Sequence, residues 1–183
     1  HRNNRFDKDG VFVPGGKSNP SKMKYSEDIF IEEAIKFLRK PHKKPFFMFY
    51  SSTLTHAEWP KELRELKDKP KPWTDDQKRW AGQVTQLDRS VGTILKELKV
   101  QGREQNTLVI FTSDNGGFAR ATNHAPLRGN KGSYYEGGIR VPLVLRWPGV
   151  AKVGHVSHAP VISMDLYPTC LTAAGLPLSL IHI

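Results

Sequence analysis

Apolar residues recur at helical spacing early in the chain. Phe30, Ala34, Phe37 and Leu38 share one face, and Pro41 ends the run, which predicts a helix over Ser26–Arg39. The continuous apolar stretch Phe46-Phe47-Met48-Phe49-Tyr50 then predicts a strand buried on both faces. A charged, proline-bearing stretch at 57–73 reads as a surface excursion. Thr74 is a candidate N-cap, with Asp75 and Asp76 in the first turn. Trp80, Val84, Leu87, Val91, Ile94, Leu95 and Leu98 follow with a helical period that Gly102 closes, predicting a long amphipathic helix. Leu108–Thr112 predicts a second strand, a glycine-rich loop runs to Gly138, and Val141–Leu145 predicts a third strand. Ser163–Ala174 predicts a last helix, closed by Gly175. Residues 1–24 are polar and read as loop. Helices alternating with buried strands predict an α/β layer fold.

Composition narrows the class. A chain of 183 residues, 38% hydrophobic and 25% charged, is of ordinary globular make-up and large enough for one domain. No apolar run approaches the ~20 residues that span a bilayer. The start, His1-Arg2-Asn3-Asn4-Arg5, has neither an initiator Met nor an apolar signal segment, so a fragment or a processed chain is expected. The formal charge of +10 favours anionic partners. The basic residues are spread over 39–44, 61–71 and 140–146 without interleaved aromatics, which argues against a nucleic-acid partner. The single cysteine, Cys170, excludes an internal disulfide. Gly16-Lys17-Ser18 lacks the upstream glycine at P-loop spacing, and no strand precedes it.

Candidate chemistry gathers where the predicted strands end, which is where open α/β sheets collect ligands. Ser51 to His56 follows the first strand, Asp114-Asn115-Gly116-Gly117 follows the second, and Leu127-Arg128-Gly129-Asn130-Lys131-Gly132 precedes the third. Asp114 and Asn115 offer hard oxygen ligands suited to Ca²⁺ or Mg²⁺. A structural reading is open beside this one: an Asn-Gly turn, with Asp114 capping a following helix. His56 taken singly also reads as a surface histidine, and Lys131 as a surface lysine in a glycine loop.

Taken together, four stretches resemble the sulfatase family of the alkaline-phosphatase-like superfamily: "PFFMFYSSTLTHAEWP" at 45–60, "FTSDNGG" at 111–117, "PLRGNKGSYYEGGIRVPLVLRWPG" at 126–149 and "DLYPTCLTAAGLP" at 165–177. The helix "QLDRSVGTILKEL" at 86–98 also fits the segment that precedes the Asp-Asn motif in that family. The resemblance implies an incomplete α/β fold, a sulfatase/alkaline-phosphatase-like sheet flanked by helices. It implies a divalent cation, usually Ca²⁺, on Asp114 and Asn115. It implies His56 and Lys131 as catalytic and sulfate-contacting residues, with Arg128 facing substrate, and Glu136 and Arg140 holding the loop to the sheet. Asn130 stands where the family commonly has Gly.

The family's nucleophile is a formylglycine made from Cys or Ser in a Cys-x-Pro-Ser-Arg type motif. Cys170, in Thr169-Cys170-Leu171, has no Pro or Arg at the needed places. Ser18-Asn19-Pro20-Ser21-Lys22 approximates the motif, but no strand with paired Asp residues precedes it. The formylglycine is therefore expected in a missing N-terminal part. The expected organisation is a loop-rich segment at 1–24, the middle portion of a sulfatase catalytic domain at 25–177 and a tail of uncertain origin at 178–183.

The function implied is hydrolysis of sulfate esters of sugars or aryl compounds by the complete protein, this chain alone being inactive. The alternatives are a phospho- or phosphonate-ester hydrolase of the same superfamily, or a non-catalytic relative that binds sulfated glycans. The partner expected is a sulfated small molecule or sulfated glycan, with no nucleic acid and no membrane span. The resemblance also implies export to a periplasm, a lysosome or the exterior.

Overall fold

The computed structural model describes residues 5–6, 12–13, 26–56 and 73–178. Residues 57–72 of the excursion predicted at 57–73, the basic cluster at 61–71, the Ser18–Lys22 motif and residues 179–183 of the tail predicted at 178–183 lie outside the described residues. Within the stretch 1–24, where loop is predicted, β1 (Arg5–Phe6) and β2 (Phe12–Val13) form a short antiparallel ladder.

The helix α1 spans Ser26–Arg39, as the apolar spacing predicts. The helix α2 spans Asp75–Val100 and starts on a capping box. Thr74 Oγ1 accepts from the Gln77 amide at 3.2 Å, and Gln77 Oε1 accepts from the Thr74 amide at 2.9 Å. At the other end Gly102 adopts a φ of +66°, open to glycine at little cost. Its N–H donates to Lys99 O and that of Arg103 to Leu98 O, which satisfies two carbonyls the helix would otherwise leave orphaned.

The two helices pack together, and their C-terminal ends are clamped. Arg39 donates twice to the Glu97 carboxylate, at 3.0 and 3.1 Å. Arg103 donates to Leu38 O and Lys40 O. The hydrogen bond from Arg39 holds the Glu97 carboxyl below its ordinary range. Ala34, Leu38 and Leu98, the buried apolar side chains among the described residues, all lie in this pair.

The strands β3 (Val109–Thr112) and β4 (Leu143–Arg146) pair antiparallel, with Val109 opposite Arg146 and Thr112 opposite Leu143. The strand predicted from Val141 begins two residues later, because Pro142 has no N–H to give to a ladder. Arg146 pairs with Glu104 at 3.1 Å, tying β4 to the 3₁₀ turn Glu104–Asn106 ahead of β3. The short helix α3 (Glu136–Ile139) closes the glycine-rich loop. The helix α4 is Leu166–Ala173, and the residues predicted as its first turn, Ser163–Asp165, form a 3₁₀ turn instead. There Asp165 Oδ2 accepts from the Ile162 amide at 2.8 Å. Gly175, at a φ of +68°, ends α4 as Gly102 ends α2.

The doubly buried strand predicted at 46–50 is not found. The segment has no ladder partner among the described residues. It alternates: Phe46, Met48 and Tyr50 are half-buried, while Phe47 and Phe49 are 72% and 81% exposed. Its inner side faces the helix pair and, among the described residues, nothing covers its outer side, so there it has one buried face rather than two.

Candidate functional site

The glycine-rich loop from Ser113 to Arg140 is held by its own backbone. Gly116 N–H donates to Gly138 O at 2.8 Å, Lys131 N–H to Gly117 O at 3.0 Å and Gly137 N–H to Arg128 O at 2.7 Å. These approaches leave no room for side chains. A Cβ on Gly116 would strike Gly137 O, and one on Gly137 would strike Gly129 O. Three stretches of loop thus lie backbone against backbone, so the spacing between Asp114-Asn115 and Lys131 is set by main-chain contacts. Trp80 of α2 stacks on Phe118 at 5.8 Å between ring centroids and anchors the loop from outside.

Asp114, Asn115, Lys131 and His56 all line one cleft, of about 3250 Å³. Asp114, Lys131 and His56 are exposed and Asn115 is half-buried. Their heads are unengaged: among the described residues no hydrogen bond or ion pair holds any of the four side chains, and Asp114 does not pair with Lys131. The reading of Asp114 as a helix cap has no helix to cap, since the next helix after it is α3, at Glu136. The cleft is several times the ~300–1,000 Å³ of a small-molecule pocket. It extends inward between the helix pair and the β3–β4 ladder, along apolar side chains such as Leu87, Leu98 and Ile110. The polar groups occupy only part of its wall.

Arg128 is not brought to that wall. Its guanidinium lies 3.8 Å from the centroid of the Tyr135 ring, a cation–π contact within the loop. Glu136 and Arg140, expected to hold the loop to the sheet, instead pair with each other at 3.2 Å on an exposed helical turn.

Two residues escaped the sequence reading. His124 lines the same cleft, lies against Gly117 and approaches Thr122 Oγ1 at 3.3 Å. A titratable residue between two glycine motifs was the available signal. Glu27, on α1, is completely buried and has no sequence signal of its own.

The donors Asp114 and Asn115 are hard oxygens, as Ca²⁺ or Mg²⁺ requires, but they are two where Ca²⁺ takes ~6–8. Among the described residues no three His, Cys, Asp or Glu side chains gather to hold a metal. The pair therefore fits a hard cation as part of a donor set. Cys170 is half-buried on α4.

Two side-chain oxygens, an ammonium and an imidazole thus line one cleft of an α/β scaffold. The sulfatase family profile matches residues 4–176, and the chain belongs to that family. It is 39% identical over 150 residues to a sulfatase of Formosa agariphila, covering 75% of this chain and 27% of that protein. It is 34% identical over 154 residues to human N-acetylgalactosamine-6-sulfatase, covering 81% of this chain and 28% of that one. The solved structure of Ps i-CgsB in complex with k-i-k-neocarrahexaose superposes with a TM-score of 0.74 at 33% identity, over 92% of this chain and 38% of the other. The α/β expectation holds: the elements here are a part of that fold. The chain spans less than a third of the length of these curated relatives. No helix among the described residues is long and apolar enough to cross a membrane.

Proposed function

We propose that this chain carries part of the active site of a sulfuric ester hydrolase acting on sulfated glycans or aryl sulfates, with residues 25–177 as the middle portion of its catalytic domain. The observation that carries this reading is the shared cleft of Asp114, Asn115, His56 and Lys131 in a chain of the sulfatase family.

Each group has a role in cleaving an S–O bond. Asp114 and Asn115 would hold a divalent cation, Ca²⁺ in this reading, which supplies positive charge to sulfuryl oxygens. Lys131 adds a second positive charge to the same oxygens, in a cleft where a fixed charge acts without reorganisation. His56 donates a proton to the departing alkoxide or phenoxide oxygen. Arg128, held on Tyr135, shapes the loop that carries Lys131 rather than touching the ester. The formylglycine of the family finds no fitting residue among those described: Cys170 lies on α4 without the surrounding motif. No step is assigned to it, and the chain by itself is inactive in this reading.

A chimera tests the proposal. The matched segment of the Formosa agariphila sulfatase is replaced by residues 25–177 of this chain and assayed on an aryl sulfate. The expected result is turnover that falls at least ~100-fold in Asp114→Ala and Lys131→Ala, in line with the loss of a charge that stabilises the transition state. Preferential cleavage of a phosphate ester would favour the phospho- or phosphonate-hydrolase alternative. Retention of sulfated glycan without turnover would favour a binding protein.

A further inference from the structure

Glu27 sits in the first turn of α1, where the helix dipole favours a carboxylate, yet its side chain is completely buried. A buried carboxylate is costly unless it is well hydrogen-bonded. Both of its oxygens are used, and both donors come from the segment that leads to His56. Tyr50 OH donates to Oε1 at 2.6 Å, and Ser52 Oγ donates to Oε2 at 2.9 Å. Burial, and then the bond to Glu27, push the Tyr50 hydroxyl well above its ordinary pKa, so it remains a donor throughout the working pH range.

Tyr50 and Ser52 are two residues apart on an extended segment and so share a side. That side is the half-buried one: residues 46, 48, 50 and 52 face inward, while 47, 49, 51 and 53 are exposed. A slip of one residue would turn both hydroxyls away from Glu27. The clasp continues toward the site, because Ser52 Oγ also accepts from the Leu54 amide at 3.1 Å, two residues before His56. On the far side Ser90 of α2 is fully buried beside the Tyr50 hydroxyl, opposing the upward shift there without reaching hydrogen-bond geometry, and Gln83 Oε1 is buried with no partner among the described residues. Among the described residues, both side-chain hydrogen bonds of full geometry from Tyr50 and Ser52 run to Glu27, with Ser90 a weaker neighbour of Tyr50. No ladder partner supports the segment among the described residues.

We propose that Glu27 is a positioning residue: by clasping Tyr50 and Ser52 it fixes the register of residues 50–56 and delivers His56 to the cleft. This rests on the reading of His56 as an anion-handling group, and the two are separable by experiment.

The 183-residue chain is compared with Ser52→Ala, Glu27→Ala and Glu27→Gln by amide exchange and by NMR of the His56 ring and the Lys131 side chain during titration with inorganic sulfate. Ser52→Ala and Glu27→Ala are expected to speed exchange at Leu54, Thr55 and His56 at least about tenfold, while Leu38 and Leu98 change less than about twofold. The sulfate response of His56 falls in these variants while that of Lys131 persists. Glu27→Gln, which still accepts from Tyr50, recovers most of both. If Glu27→Ala does not fold, Ser52→Ala and Glu27→Gln decide. Unchanged exchange at 54–56 in Ser52→Ala overturns the proposal, as does equal loss of protection in α1 and α2. A wild-type His56 that ignores sulfate, with exchange at 54–56 still following Glu27, removes the role of His56 and upholds the clasp. A sulfate-responsive His56 with no exchange effect does the reverse.

Discussion

The loop from Ser113 to Arg140 and the segment from Phe46 to His56 deliver polar heads to the same cleft, and they are held by opposite means. The loop is closed by its own main chain, through bonds such as Gly116 to Gly138 and Lys131 to Gly117. The segment is extended, without a ladder among the described residues, and is held through the side chains of Tyr50 and Ser52 on one distant carboxylate. Half of the site is therefore local, and half depends on a helix more than twenty residues upstream. Local main-chain architecture tolerates little change at its glycines, whereas a side-chain clasp can be loosened step by step.

The largest expected effect lies in the loop. Gly137→Ala drives a Cβ into Gly129 O and to within 2.7 Å of Arg128 O. Neither backbone atom can move freely, so a loss of roughly 3 kcal/mol is expected in urea denaturation. Gly92→Ala is the contrasting control, since nothing lies within 4 Å of its added methyl. In the middle of α2 it should stabilise by about 0.5–1 kcal/mol. Equal effects at the two positions would dissolve the distinction between loop and helix.

In the segment, Tyr50→Phe removes one donor to Glu27 and is expected to cost about 1 kcal/mol. The loss should be measured together with Ser52→Ala, because both hydroxyls serve one carboxylate and their effects should not add. Additive losses would mean that the two bonds act independently.

The smallest effect belongs to the clamp that ends the helix pair. The Glu97 carboxyl is lowered from its ordinary value of 4.5, first by the hydrogen bond from Arg39. A depressed carboxyl contributes stability that is present above its unfolded value and lost as pH falls through the folded one. The difference in melting temperature between the wild type and Arg39→Gln should therefore be small at pH 7 and shrink further below about pH 4.5. A difference that grows on acidification would contradict the clamp.

The same contrast explains what was legible in the sequence. Helix bounds were local matters of capping and period: Thr74, Gly102 and Gly175 mark ends that the structure reproduces. The stretch to Gly138 was legible as a glycine-rich loop, but which glycines meet across it, Gly116 against Gly137 and Gly137 against Gly129, is set by the fold. The apolar run 46–50 misled, because hydrophobicity at successive positions says that a segment is buried somewhere and not by which neighbours. In the described residues it has one covering layer. The start of β4 shifted because Pro142 outweighed the apolar pattern around it. A cationic residue beside a lysine motif reads alike whether it faces a ligand or a ring, and the contact of Arg128 with Tyr135 was not legible because only the fold brings that ring beneath it. Glu27 was invisible, since an acidic residue in the first turn of a helix is ordinary at the surface and its burial depends on a segment more than twenty residues away.

The central claim is that the chain holds part, and only part, of a sulfatase site, with Asp114 and Asn115 as its contribution to a cation. Calorimetric titration of the chain with Ca²⁺, followed in parallel by amide shifts, tests it most directly. The account predicts weak binding, with a dissociation constant on the order of 10⁻⁴–10⁻³ M. Shifts should be confined to the neighbourhood of Ser113–Gly117 and disappear in Asp114→Ala. Submicromolar affinity, or binding that survives Asp114→Ala, would contradict it.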